Sequence, residues 1–128
     1  MTSPSFTTTP KQESDPLQQS IAIVGPCGAG KSTLAEGLVR NGYHARQIAQ
    51  EHSYVPDMWQ QLTKPDVLIF LEASFETCDQ RKKLDWTQKD FNEQLRRLRH
   101  AYKNCDICIK TDGLKPDQIL KNVLKALQ

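Results

Sequence analysis

One stretch of this 128-residue chain has residue types and spacing that point directly to chemistry: Gly25-Pro26-Cys27-Gly28-Ala29-Gly30-Lys31-Ser32-Thr33. A glycine is followed after four residues by glycine, lysine and serine, the spacing of a phosphate-binding turn. Backbone N–H groups can wrap a polyphosphate closely only where no side chain fills the curve they make. Gly25, Gly28 and Gly30 are expected to leave that space open. Lys31 is placed to reach the terminal phosphates, and the Ser32 hydroxyl to hold a Mg²⁺ ion.

Such a turn needs a strand to deliver it and a helix to receive it. Ile21-Ala22-Ile23-Val24 is the strand, a run of apolar and mostly β-branched side chains. Leu34, Ala35, Leu38 and Val39 then recur at helical spacing until Asn41-Gly42, a left-handed exit. The unpaired N–H groups of the first helical turn, and the positive end of the helix dipole, add to the attraction for phosphate.

With these residues the chain resembles the P-loop NTPases, and the way Lys31-Ser32-Thr33-Leu34 opens the helix is most similar to the small nucleoside and nucleotide kinase, adenylate kinase-like branch. The resemblance runs from about Ser20 to Gln128, with its specific motif confined to Gly25 through Thr33. It implies ATP or GTP as ligand with Mg²⁺, held by Gly25, Pro26, Cys27, Gly28, Ala29, Gly30, Lys31, Ser32 and Thr33. The activity implied is that of a kinase-like phosphotransferase or a slow NTPase. Kinases of this kind carry a basic lid, whose counterparts would be Arg81 and then Arg96 and Arg99, clamping the moving phosphoryl group. Acids are expected at the carboxyl ends of the strands, where ligands bind in open α/β sheets. Glu72 would be a Mg²⁺ ligand of Walker B type, and Glu51 would receive or orient an acceptor hydroxyl.

The departures matter too. Only residues 50–64 separate the second strand from the third, too few for the usual monophosphate-binding insert, and the acceptor-binding arginines of that insert have no counterpart. The acceptor is therefore an unidentified small molecule, and a nucleotide-binding regulator that kept the loop and lost the acceptor site is the alternative. Nothing legible reads the base.

Composition bounds the rest. Apolar residues make up 38% and charged residues 25%, ordinary for a globular protein, and 128 residues suffice for one domain with a true core. Residues 1–16, with three prolines, four threonines and three serines, read as a disordered tail before a nucleotide-binding domain at 17–128. They lack the apolar core of a secretory signal and the arginines of a transit peptide, so the cytoplasm is the expected location. No run is long enough to span a bilayer. The net charge is +2, but residues 81–103 hold eight basic residues against three acidic ones. Without an aromatic platform that patch is read as facing phosphates rather than nucleic acid.

Four cysteines in such a chain do not make a disulfide framework, and Cys105-Asp106-Ile107-Cys108 lacks the second pair that a zinc site would want. Cys27, inside the loop, is read as an unreactive loop residue, with redox control of nucleotide binding as the alternative. His52 is read as a surface residue, and Tyr54 and Trp59 as packing.

Further elements follow from periodicity. A polar edge strand is expected over residues 43–49, a short helix over 53–63 with Pro56 in its first turn, and a doubly buried strand over 66–72. Helices at 75–83 and 87–103 follow, the first capped by Ser74 and the second by Thr87 and Asp90, with an apolar stripe of Phe91, Leu95, Leu98 and Tyr102. A last strand at 106–111 and a helix from Lys115-Pro116 complete the chain. The expected fold is a three-layer α/β/α sandwich on a short parallel sheet of about four strands, the loop strand lying beside the middle one.

Overall fold

The computed structural model describes residues 19–83 and 85–128, so the tail expected over residues 1–16, and its boundary, lie outside the described residues. Strands β1 (Ser20–Val24), β2 (His44–Gln47), β3 (Val67–Glu72) and β4 (Ile107–Lys110) form one parallel sheet in the order β2-β1-β3-β4. The two central strands are the two apolar runs, Ile-Ala-Ile-Val and Val-Leu-Ile-Phe-Leu, which suits strands covered on both faces. The polar β2 takes an edge, where His44, Arg46 and Gln47 reach water.

Alternation along the strands divides the core. Ile21, Ile23, Ile69 and Leu71 pack against Leu34 and Leu38 of helix α1 (Lys31–Arg40) and Ile119 and Val123 of helix α5 (Pro116–Leu127). On the other face Ala22, Val24, Leu68 and Phe70 meet Trp59 of helix α2 (Met58–Thr63) and Leu98 and Ala101 of helix α4 (Gln88–Asn104). Helix α3 (Phe75–Lys82) follows β3, its Ser74 cap accepting the Thr77 N–H at 3.1 Å. The result is the expected three-layer α/β/α sandwich with a P-loop fold.

Two expectations need correction. The helix expected over 53–63 is instead an irregular bend containing Pro56 and then the shorter α2, preceded by a 3₁₀ turn at Gln50–His52. Gln50 explains the break: fully buried, its Oε1 accepts the Trp59 N–H at 2.8 Å and its Nε2 donates to Val55 O at 2.8 Å, replacing helical bonds with side-chain ones. The stripe of α4 is also rotated. Phe91, Gln94, Leu98 and Ala101 face inward, while Leu95 and Tyr102 are 40% and 50% exposed. Gln94 takes the inward position because its Oε1 accepts the Cys27 N–H at 3.0 Å, a partner that apolar periodicity does not register. The capping box of Thr87 and Asp90 starts α4 as expected.

Candidate functional site

The loop between β1 and α1 sits at the carboxyl end of the central strands and opens into a cavity of about 520 Å³. Its glycines do different work. A Cβ on Gly25 would lie 2.5 Å from Leu71 O and one on Gly28 would lie 2.8 Å from Cys78 O, so these two let the loop lie against β3 and α3, Gly28 lining the cavity as well. Gly30 alone of the three has open space where a Cβ would stand. It has φ +103°, a hypothetical Cβ there meets nothing within 4 Å, and it lines the cavity. Gly30 also precedes α1 with no side chain to cap it, so the first-turn N–H groups of Lys31, Ser32 and Thr33, residues that line the cavity, have no intrahelical partner. Ala29 N–H closes the turn onto Pro26 O at 3.1 Å.

Lys31 is 6% exposed and its ammonium has three acceptors: Gly25 O at 2.8 Å, Pro26 O at 3.1 Å and Glu51 Oε2 at 2.8 Å. All three N–H donors are thereby engaged. Glu51, 3% exposed in the 3₁₀ turn after β2, is positioned by its neighbours: Gln50 is locked as described, and Arg97 Nη1 donates to Glu51 O at 3.4 Å. Its other carboxylate oxygen, Oε1, is buried without a hydrogen-bond partner. His52 Nε2 lies 3.7 Å from Oε2 on a largely exposed ring.

Across the loop stands Arg81, from the last turn of α3. Its guanidinium donates to Ala29 O at 3.1 Å, Thr111 Oγ1 at 3.1 Å and Thr111 O at 2.7 Å, with longer contacts to Gly28 O and Leu114 O. It thus ties the phosphate loop to the end of β4. All these acceptors are neutral, so a positive charge remains at the cavity wall beside Lys82. Leu34, Leu114, Pro116 and Ile119 make an apolar wall, and Ser32 and Thr33 are exposed within the cavity. Behind the loop Cys78 is fully buried, which pushes its thiol up to about 11 against the opposing pull of Arg81 and Lys31.

Three candidates are not brought here. Arg96 is exposed and forks onto Glu93 of its own helix, holding that carboxyl below its usual range, and Arg99 is also exposed; neither lines the cavity. The physical reason is the rotation of α4, which turns Gln94 to the loop and these arginines to water. Glu72 is likewise absent from the lining. Its backbone O accepts the Thr111 N–H, and its carboxylate meets Cys108 Sγ at 3.4 Å, toward the β4 edge. Burial, and next the bond to Glu72, push the Cys108 thiol up to about 12. All four cysteines are free. Among the described residues no three His, Cys, Asp or Glu side chains converge on a metal position. Mg²⁺ needs no such cluster, because it keeps waters and borrows phosphate oxygens, so one exposed Ser32 hydroxyl beside the loop fits it.

Residues 21–106, well over half the chain, match the family described as the AAA domain. The chain belongs to that family. It is a P-loop nucleotide-binding protein. No curated protein matches its sequence. The matched span of this AAA-domain protein carries the loop, Glu51, Arg81 and α4, whereas the apolar wall of Leu114, Pro116 and Ile119 lies beyond it. No helix among the described residues is long and apolar enough to cross a membrane.

Gln50, Gln94 and Lys82 escaped the sequence reading as site residues. Gln94 could have been found, since it sits three residues after Phe91 and four before Leu98, on the buried face that they define.

Proposed function

We propose that the chain is a small kinase-like phosphotransferase using ATP or GTP with Mg²⁺, and a slow NTPase when water takes the acceptor's place. The observation that carries this reading is the meeting of Lys31 and Glu51 at 2.8 Å within the cavity into which the uncapped start of α1 opens. A cation for the terminal phosphates and a carboxylate that can take the proton of an attacking hydroxyl are thus neighbours at one end of the cavity.

In this reading the N–H groups of Gly30, Lys31, Ser32 and Thr33 hold the phosphates, and Lys31 transfers its ammonium from Glu51 to the outermost of them. Ser32 would hold Mg²⁺, which neutralises phosphate charge when bound. Arg81 and Lys82 supply the remaining positive charge on the wall. The apolar wall of Leu114, Pro116 and Ile119 suits the flat face of a base and contains no group that would distinguish adenine from guanine by a charged contact. The test is release of nucleoside diphosphate from Mg²⁺-ATP or Mg²⁺-GTP, measured alongside equilibrium binding. Turnover that rises with an added hydroxyl compound supports the kinase; absence of binding to either triphosphate overturns it.

The second reading, a nucleotide-binding regulator, is favoured by one observation. With Arg96 and Arg99 facing water, only Lys31, Arg81 and Lys82 among the cavity lining are Lys or Arg. Tight binding without turnover on any acceptor is its expected signature.

A further inference from the structure

The Lys31–Glu51 pair raises the question of what Glu51 does once a phosphate draws the lysine away. Both side chains are about 5% exposed or less, so the ammonium and the carboxylate compensate each other out of water. A carboxylate left alone at that depth is costly, and Glu51 already has one oxygen, Oε1, with no donor. Gln47, Ala49 and His52 also line the cavity, none of them Lys or Arg; the His52 ring is largely exposed, its Nε2 3.7 Å from Glu51 Oε2, beyond hydrogen-bond reach. Arg97 donates to the backbone O of Glu51 and to the carboxylate of Glu93. The cationic side chains of the cavity, Lys31, Arg81 and Lys82, belong to the phosphate loop and the end of α3.

We infer that nucleotide binding creates a second site at Glu51, and that this site takes an uncharged or cationic molecule with a hydroxyl or amine donor and excludes phosphomonoesters. The inference rests on the phosphotransferase reading and deepens it by naming the acceptor class. Before nucleotide arrives, Lys31 occupies Glu51 Oε2 and competes with any second ligand. Afterwards both oxygens need donors, which a hydroxyl or ammonium group supplies and a phosphate dianion does not; a dianion would face a buried carboxylate of like sign. The two sites are therefore positively coupled, each ligand raising affinity for the other by the same factor.

The transfer step balances without any further reactant. The acceptor oxygen forms a bond to the γ-phosphorus, and the bond from that phosphorus to the β,γ-bridging oxygen breaks. Its electron pair leaves on the nucleoside diphosphate, and the acceptor proton passes to Glu51.

The test uses the full chain and matched pairs of probes: glycerol and glycerol phosphate, ethanolamine and phosphoethanolamine, serine and phosphoserine, adenosine and its monophosphate. Binding of each is measured by calorimetry with and without a non-hydrolysable Mg²⁺-ATP analogue. At least one unphosphorylated probe is expected to bind about tenfold more tightly when the analogue is present, a coupling within the usual range, and its phosphomonoester is expected not to bind at that position. Glu51→Gln, which keeps the shape and removes the charge, is expected to bind the analogue about tenfold more tightly, since Lys31 no longer leaves a buried counter-charge behind, while losing the response to the probes. Tighter binding of the phosphomonoesters, probe affinity indifferent to the analogue, no binding by any probe, or unchanged analogue affinity in Glu51→Gln overturns the inference. If the analogue itself does not bind, the nucleotide reading has failed first, and the two failures are distinguished.

Discussion

The loop side of the molecule and the outer side of α4 and β4 carry the same kinds of residue and use them differently. At the loop, Lys31 and Glu51 are buried against each other and Arg81 spans from the loop to Thr111. On the outer side, Arg96 pairs with Glu93 in water, Arg99 is exposed, and Glu72 holds a thiol at a sheet edge. The residue types are alike in the two regions; what differs is desolvation at Lys31 and Glu51, and fixation at Arg81, which is exposed but held by Ala29 O and Thr111. A buried cation acts on a nearby phosphate with little screening and one fixed by several neutral acceptors keeps its charge in place, whereas an exposed, mobile one is screened by solvent and salt within about 10 Å.

The sharpest way to break this comparison is at Lys31. Lys31→Ala should weaken triphosphate binding about 100-fold, or about 2.7 kcal/mol, in a direct binding titration. The same change should cost about 3–5 kcal/mol of stability, because Glu51 would remain buried and unpaired. The double variant Lys31→Ala with Glu51→Gln should recover much of the melting temperature without recovering affinity. Equal melting of the single and double variants would show that the pair is not what buries the charge.

Arg81→Ala comes next in expected size. It removes the tie between the loop and the end of β4, and charged-donor hydrogen bonds are worth about 1.5–3 kcal/mol each where they persist. Nucleotide affinity should fall about tenfold, because the loop loses both a brace and a wall charge. Lysine at this position should rescue only part, lacking the planar fork that reaches Ala29 and Thr111 together.

The outer side should respond least. Replacing Arg96 and Arg99 together by alanine should leave nucleotide affinity within about twofold. A loss as large as that of Arg81→Ala would mean that α4 closes over the cavity when ligand binds. For Glu72, the measurement is alkylation of Cys108. The thiol's upward shift makes labelling slow at pH 8 despite exposure, and the rate should rise with pH until the thiol titrates near about 12. Glu72→Gln should accelerate labelling at pH 8 without altering nucleotide binding. A change in Mg²⁺-dependent binding instead would return Glu72 to the metal site.

Much of this was legible without coordinates, and for local reasons. The glycine spacing from Gly25 to Gly30, the lysine and serine after it, and the unbroken apolar runs before it and at Val67 to Leu71 determine a parallel α/β sheet with a phosphate loop at its carboxyl end. Caps at Ser74 and Thr87 were equally readable, because a cap is a bond between residues three apart. Tertiary structure alone decided which candidate side chains reach the cavity. The rotation of α4 depends on Gln94 finding the Cys27 N–H, and the burial of Glu51 depends on Gln50 finding Trp59 and Val55, partners five to 67 residues away. Periodicity records which face is apolar but not which polar side chain is drawn inward by a distant donor. That selection turned Arg96 and Arg99 away from the cavity and buried Glu51 against Lys31.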